Sequence, residues 1–182
     1  FSMNAQMSDN SSGTSATGSN AVAMGLNTTA SGTASTAMGY NTTASGLVST
    51  AMGDSSTASG IVSTAMGTAT TASGYNSTAM GSFTTASDFA STVIGQYNSS
   101  GSSVTNNATS FNTANTAFVI GNGTSGSLSD AFKVMFNGDT TVSNDLTVSG
   151  DVVISSDARL KSNIVSLGST LPKLLQIDGK SY

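Results

Sequence analysis

Small apolar residues recur along this chain at a fixed interval. Met24, Met38, Met52, Met66 and Met80 stand 14 residues apart, and Ile94 continues the series. Each is followed by glycine: Gly25, Gly39, Gly53, Gly67, Gly81 and Gly95. Midway lies a second column, Gly18, Gly32, Gly46, Gly60 and Gly74, broken only at Asp88. The period of 14 is therefore two halves of 7, each close to Ala-x-Gly-x-x-Ser/Thr-Thr. Seven residues hold a strand of about four or five plus a tight turn. Glycine after each strand supplies a turn residue tolerant of positive φ. Two strands and two turns close one coil, and the next stacks about 4.8 Å further on. The predicted fold class is all-β, a parallel β-roll whose units are stable only when stacked. Gly39, Gly53 and Gly67 are expected either to take positive φ or to leave no room for a Cβ.

The columns also assign faces. Alanine recurs in both halves, as Ala30, Ala44, Ala58, Ala72 and Ala86 and as Ala37, Ala51, Ala65 and Ala79. A position small in both strands fits a narrow interior between them. The next residue alternates outward: serine in one half, methionine in the other. The alternative, Met inside and Ala outside, stays open on pattern alone. With Met outside, one face of the roll is an apolar stripe of a kind that soluble monomers seldom leave in water. Identical chains around an axis would cover it.

The repeat breaks between Ile94 and Ile120, 26 residues apart. Residues 96–116 form a polar insert carrying Tyr97, Val104 and Phe111, either an excursion bearing recognition or an irregular coil with a long turn. Beyond Gly123, alternation at Phe132, Val134 and Phe136 followed by Asn137-Gly138 predicts a strand and hairpin turn. The echo TVSNDL/TVSGDV then supplies sparse apolar residues that three chains could bury together. In the last segment Leu171, Leu174 and Leu175 have helical spacing, with Pro172 tolerable in a first turn. The organisation expected is a lead-in over 1–14, a head over 15–123 with its insert, a β-rich trimeric stalk over 124–155, and a distinct, partly helical segment over 156–182.

Composition narrows the chemistry. Charged residues make up 8%, against roughly 25% in a typical globular protein. There is no Cys, His or Trp. A zinc or copper site is therefore not expected, and no cofactor is indicated. Asp139, Asp145 and Asp151 lack the spacing of calcium-binding loops. A net charge of −4 without a basic cluster argues against nucleic acid, and no apolar run is long enough to span a bilayer. The start at Phe1, without Met or a signal-peptide pattern, makes a fragment or processed product the expectation.

The phrase A-x-G-x-x-S-x-A-M-G resembles the head repeats of trimeric autotransporter adhesins over residues 15 to about 95, with an echo at Ala117–Gly123. That resemblance implies left-handed parallel β-rolls, three chains to a head. Similar repeats occur in phage fibres. The C-terminal run Ser156-Asp157-x-Arg159-Leu160-Lys161-x-Asn163-Ile164 resembles the opening of the intramolecular chaperone domain of phage endosialidases, tailspikes and fibres. That resemblance implies assisted trimerisation and then self-cleavage at Ser155–Ser156, with Ser156 as nucleophile and Lys161 as its partner. A serine needs a base, and a lysine serves only when burial lowers its pKa.

The expected function is a homotrimeric extracellular fibre or adhesin segment, on a virion or a bacterial surface, that reaches or recognises a cell-surface glycan or receptor. Tyr97 and Phe111 are the binding candidates, with Tyr40, Tyr75, Phe83 and Phe89 as further exposed variants. A purely structural spacer and an ice-binding solenoid are the alternatives. The latter is weakened because Thr36, Thr50, Thr64 and Thr78 share the Met face. A glycosidase needs two placed carboxylates, and the repeats offer only Asp54 and Asp88, in different coils, so no enzyme is expected beyond self-cleavage.

Overall fold

A computed structural model of the chain describes residues 7–8, 11–99 and 107–151. The chain divides into two units, residues 1–146 and 147–182, and every strand described belongs to the first. Among the described residues there is no helix. The strand β1 (Met7–Ser8) leads in. Short strands β2 (Ser15–Ala16), β4 (Thr29–Ala30), β6 (Thr43–Ala44), β8 (Thr57–Ala58), β10 (Thr71–Ala72) and β12 (Thr85–Ala86) alternate with longer ones. These are β3 (Val22–Leu26), β5 (Thr36–Tyr40), β7 (Thr50–Asp54), β9 (Thr64–Thr68), β11 (Thr78–Ser82) and β13 (Thr92–Gln96). Then come β14 (Thr116–Asn122), β15 (Asp130–Met135) and β16 (Thr140–Val142).

Long strands stack on long strands and short on short, parallel and in register, so that Ala37 pairs with Ala51 and Ala44 with Ala58. The result is a β-solenoid of about six turns with a ten-stranded and a six-stranded wall. The echo at 117–123 is a further rung: Val93 pairs with Val119 and Ile94 with Ile120. From there the sheet turns antiparallel through β15 and β16. The predicted Asn137-Gly138 turn joins these two strands, with Gly138 at φ 91 and its amide donating to Met135 O at 3.0 Å.

Alanine fills the interior. Both Ala columns are fully buried, while Met66 and Met80 are 38% and 36% exposed on the outer face. Between the alanines run two buried hydroxyl columns, some of whose members close against backbone carbonyls while the hydroxyls of Thr28, Ser35, Thr42, Ser49 and Thr84 have no partner among the described residues. Ser63 donates to Gly60 O at 2.7 Å, Ser77 to Gly74 O at 2.7 Å, and Ser56 to Gly67 O at 3.1 Å.

Two expectations need correction. The two halves of a coil are not equal: the Met half makes a five-residue strand and the Ser-Gly half only two residues of ladder. After Ala44 the chain already turns, the Ser49 amide donating to Gly46 O at 3.2 Å. Nor is glycine the general left-handed turn residue. Every seventh residue from Asn20 to Tyr97 takes φ between 42° and 58°, and none of them is glycine. The two glycine columns do other work. Gly53, inside β7, has φ 109, and a Cβ there would meet the carbonyl oxygen of Gly67. Gly46 has no such φ, but its Cβ would meet the carbonyl oxygen of Gly60.

The break at Asp88 now has a cause. Among the described residues the short wall ends at β12, and none of them stacks where a side chain at Asp88 would crowd the next coil. Its carboxylate instead accepts from the Thr116 amide at 2.8 Å. Asn98 completes the closure. In every earlier coil the amide of the short strand's first residue finds a backbone carbonyl 13 residues on, as Thr71 finds Thr84 O at 2.8 Å. For Thr85 the acceptor is Asn98 Oδ1 at 2.7 Å, while Asn98 Nδ2 donates to Thr85 O at 3.1 Å. A buried side-chain amide thus supplies the acceptor that a backbone carbonyl supplies in the earlier coils. Asn98→Ala would leave both Thr85 groups unpaired, each costing about 1–3 kcal/mol. A fall of about 2–6 kcal/mol in unfolding free energy is expected by denaturant titration.

Candidate functional site

Two surfaces stand out. The first is the outer face of the long wall. In-register pairing makes a ladder of Met24, Met38, Met52, Met66 and Met80. Past it, Ile94 pairs with Ile120, Ile120 with Phe132 and Phe132 with Val142. Paired residues point to one side of a sheet, so one apolar column runs along the wall from β3 to β16. Val22, Thr36, Thr50, Thr64, Thr78, Thr92 and Phe118 form the column beside it. Phe118 and Phe132 meet edge to face at 6.2 Å.

The second surface is the capped end. Tyr97 stacks on Phe83 at 4.6 Å with rings 6° from parallel; both occupy left-handed turn positions one coil apart. Phe111 is 58% exposed and sits edge-on to Phe136 at 5.2 Å. The two binding candidates therefore belong to different aromatic pairs. The described part of the insert lies folded on the roll: the Tyr75 amide donates to Ala108 O at 2.7 Å, and the Phe89 amide to Asn107 O at 3.2 Å. Buried Asn115 holds it from below, donating to Asn107 O at 3.1 Å. Asn107 Oδ1 accepts from the Ser110 amide at 3.1 Å, and Asn112 Oδ1 from the Ala114 amide at 2.9 Å. Among the other expected aromatics, Tyr40 is 50% exposed, while Tyr75 and Phe89 are half-buried. Ser156, Lys161, the Ser155–Ser156 bond and the expected helix lie outside the described residues.

Sequence reasoning missed a polar cleft of about 270 Å³ beside the cap, lined by Ser99, Leu128, Asp130, Lys133 and Ser143. Burial raises the Asp130 carboxyl above its ordinary value, against the opposing pull of the Ser99 amide, which donates at 2.8 Å, and of the Lys133 charge. A raised folded-state pKa means that the neutral acid is favoured in the fold. The resulting stability is present at low pH and lost as pH rises through the folded-state pKa. Asp130→Asn keeps an acceptor for Ser99 without the charge. Its denaturation midpoint is expected above wild type at neutral pH and equal to it in acid, below both carboxyl titrations.

The fold defines the class: a β-solenoid walled by small residues, with one apolar face and a capped end. YadA head domain repeats, the repeats of trimeric autotransporter adhesins, are detected over residues 16–42, 44–70, 58–84 and 72–98, each match spanning two repeat copies. No curated protein and no solved structure matches the chain. The matched residues end at 98, so the C-terminal resemblance gains no support from them.

Proposed function

We propose that the chain is part of a homotrimeric, extracellular attachment protein, in which three rolls join along their Met faces and present the capped end for recognition. The observation that carries this reading is the uninterrupted apolar column on the long wall. Soluble monomers rarely leave such a stripe in water, and the similarity to YadA head repeats supports three chains at a cell surface. A wall of Ala, Ser, Thr and Gly is stiff and chemically bland, suited to reach. Affinity would come from the aromatic pairs, since flat rings offer large contact area at low entropy cost. Three rigidly linked copies then multiply weak contacts. Self-cleavage before Ser156, with Ser156 as nucleophile and Lys161 as base, belongs to this reading for a full-length precursor. Intact mass of the mature protein tests it: a chain ending at Ser155 supports cleavage, and an uncut one contradicts it.

The recognition role is tested by glycan-array and cell-binding assays on the trimer and on Tyr97→Ala and Phe111→Ala trimers. Loss of binding in either variant supports the capped end as the contact surface. Unchanged binding in both moves recognition elsewhere, and no binding by wild type leaves a structural spacer.

A further inference from the structure

A ring of three identical chains cannot be held by one self-complementary patch. Cyclic trimers use heterologous contacts, in which one surface of a chain meets a different surface of the next. The Met face is one surface. The structure points to the other at the corner where each short strand turns back into the long wall.

Along that corner Gly32, Gly46, Gly60, Gly74 and Asp88 are followed by Thr33, Leu47, Ile61, Tyr75 and Phe89 in successive coils, and the residue after each of these is left-handed. At its upper end the corner is covered by the chain itself, whose insert accepts from the amides of Tyr75 and Phe89. Lower down, Leu47, Val48 and Val62 are 45%, 49% and 49% exposed, and Ile61 is partly so. Val48 and Val62 are also anomalous in backbone, with φ 55 and 54. A β-branched residue is a poor choice there. Other coils use residues that tolerate it better: Asn20, Asn27, Asn41 and Asn76, or Ala34, Ala69 and Ala90. Phe83 and Tyr97 share the strained conformation but stack on each other. The two valines gain no comparable shelter from their own chain.

We infer that Leu47, Val48, Ile61 and Val62 seat against the Met38–Met66 ladder of a neighbouring copy, closing the ring. This rests on the trimer proposed above and names its second surface. The levels agree: Leu47 and Val48 fall between Met38 and Met52 along the chain, and Ile61 and Val62 between Met52 and Met66. A row of side chains repeated at the rung spacing of about 4.8 Å needs a partner with that same repeat, and a second copy has it. The corner also adjoins the Met face through Thr50 and Thr64, which makes the two apolar surfaces continuous round the roll.

The chain has no cysteine, so Val48→Cys/Met52→Cys introduces its only thiols. Four residues of extended chain separate them by about 13 Å, beyond the reach of a disulfide within one chain. On mild oxidation the double variant is expected to run as a covalent trimer on a denaturing, non-reducing gel, while Val48→Cys alone stays uncrosslinked. A double variant that sediments as a trimer yet forms no covalent species would overturn the corner assignment and leave the trimer standing. Crosslinking by Val48→Cys alone would overturn it too, since corner would then meet corner. A monomer in wild-type sedimentation removes both. Val48→Asn/Val62→Asn separates contact from strain, because it relaxes the backbone and removes the apolar contact together. Dissociation at a protein concentration higher by about tenfold or more is expected; a trimer as tight as wild type, or tighter, contradicts the inference.

Discussion

Gly53→Ala is expected to break the solenoid at one rung. The methyl group would point at the carbonyl oxygen of Gly67 in the next coil, which is backbone fixed by the ladder on both sides. Gly53 also sits at φ 109, where an L side chain is strained whatever the space. Relief requires opening the pairing of β7 with β9, and each coil is held mainly by its neighbours. A loss of about 3 kcal/mol or more is expected, visible as a lower denaturant midpoint and early amide exchange in the flanking strands. Gly126 supplies the contrast. No atom lies within 4 Å of the Cβ position there, and its φ is not left-handed. Gly126→Ala should change stability by less than about 0.5 kcal/mol. Equal effects at the two sites would mean that the coils do not stack as described.

Ala51→Leu is the second large effect. Ala51 is fully buried in the stretch from Thr28 to Ala86, where the buried side chains are alanine, serine and threonine. Overpacking a tight core costs typically about 1–3 kcal/mol, and more where nothing can move. Here every neighbour is a short side chain on a paired strand, so the upper end or beyond is expected. Met52→Leu, one residue along and facing outward, should cost under about 1.5 kcal/mol as a near-isovolume change. The reverse order, with Met52→Leu the more damaging, would mean that the faces had been assigned backwards. Thermal melts of the two variants against wild type decide it.

How much was legible depends on which residues carry a repeated constraint. The period, the Ala interior, the outward Met and the Asn137-Gly138 turn could all be read, because each is a side-chain property repeated or placed at a fixed offset. The left-handed turn residues could not. The fold demands a backbone conformation every seven residues, but Asn41, Val48, Ser55, Ala69 and Phe83 all meet it, so no residue type marks the column. The unequal strands were hidden for a related reason: Ala-Ser-Gly and Ala-Met-Gly look alike in pattern and differ in where the turn begins. The cap did leave a signal. The buried hydroxyl column Thr28, Thr42, Ser56, Thr70 and Thr84 becomes Asn98, within one coil of the place where glycine becomes Asp88. A change in two columns at adjacent levels marks where stacking stops, because there a side chain must supply what a strand no longer does. The insert was recognisable as a break in period but not as a flap on the roll, since its anchors are the backbone amides of Tyr75 and Phe89. Tyr97 and Phe111 were singled out separately, and their partners Phe83 and Phe136 appear only once coils are stacked.

The proposal that matters most is that the Met face joins identical chains. Sedimentation equilibrium of the chain at micromolar concentration measures this directly. A single species of three times the 17.9 kDa chain mass is the expected result. A folded species of one chain mass, stable on dilution and on concentration, would contradict it.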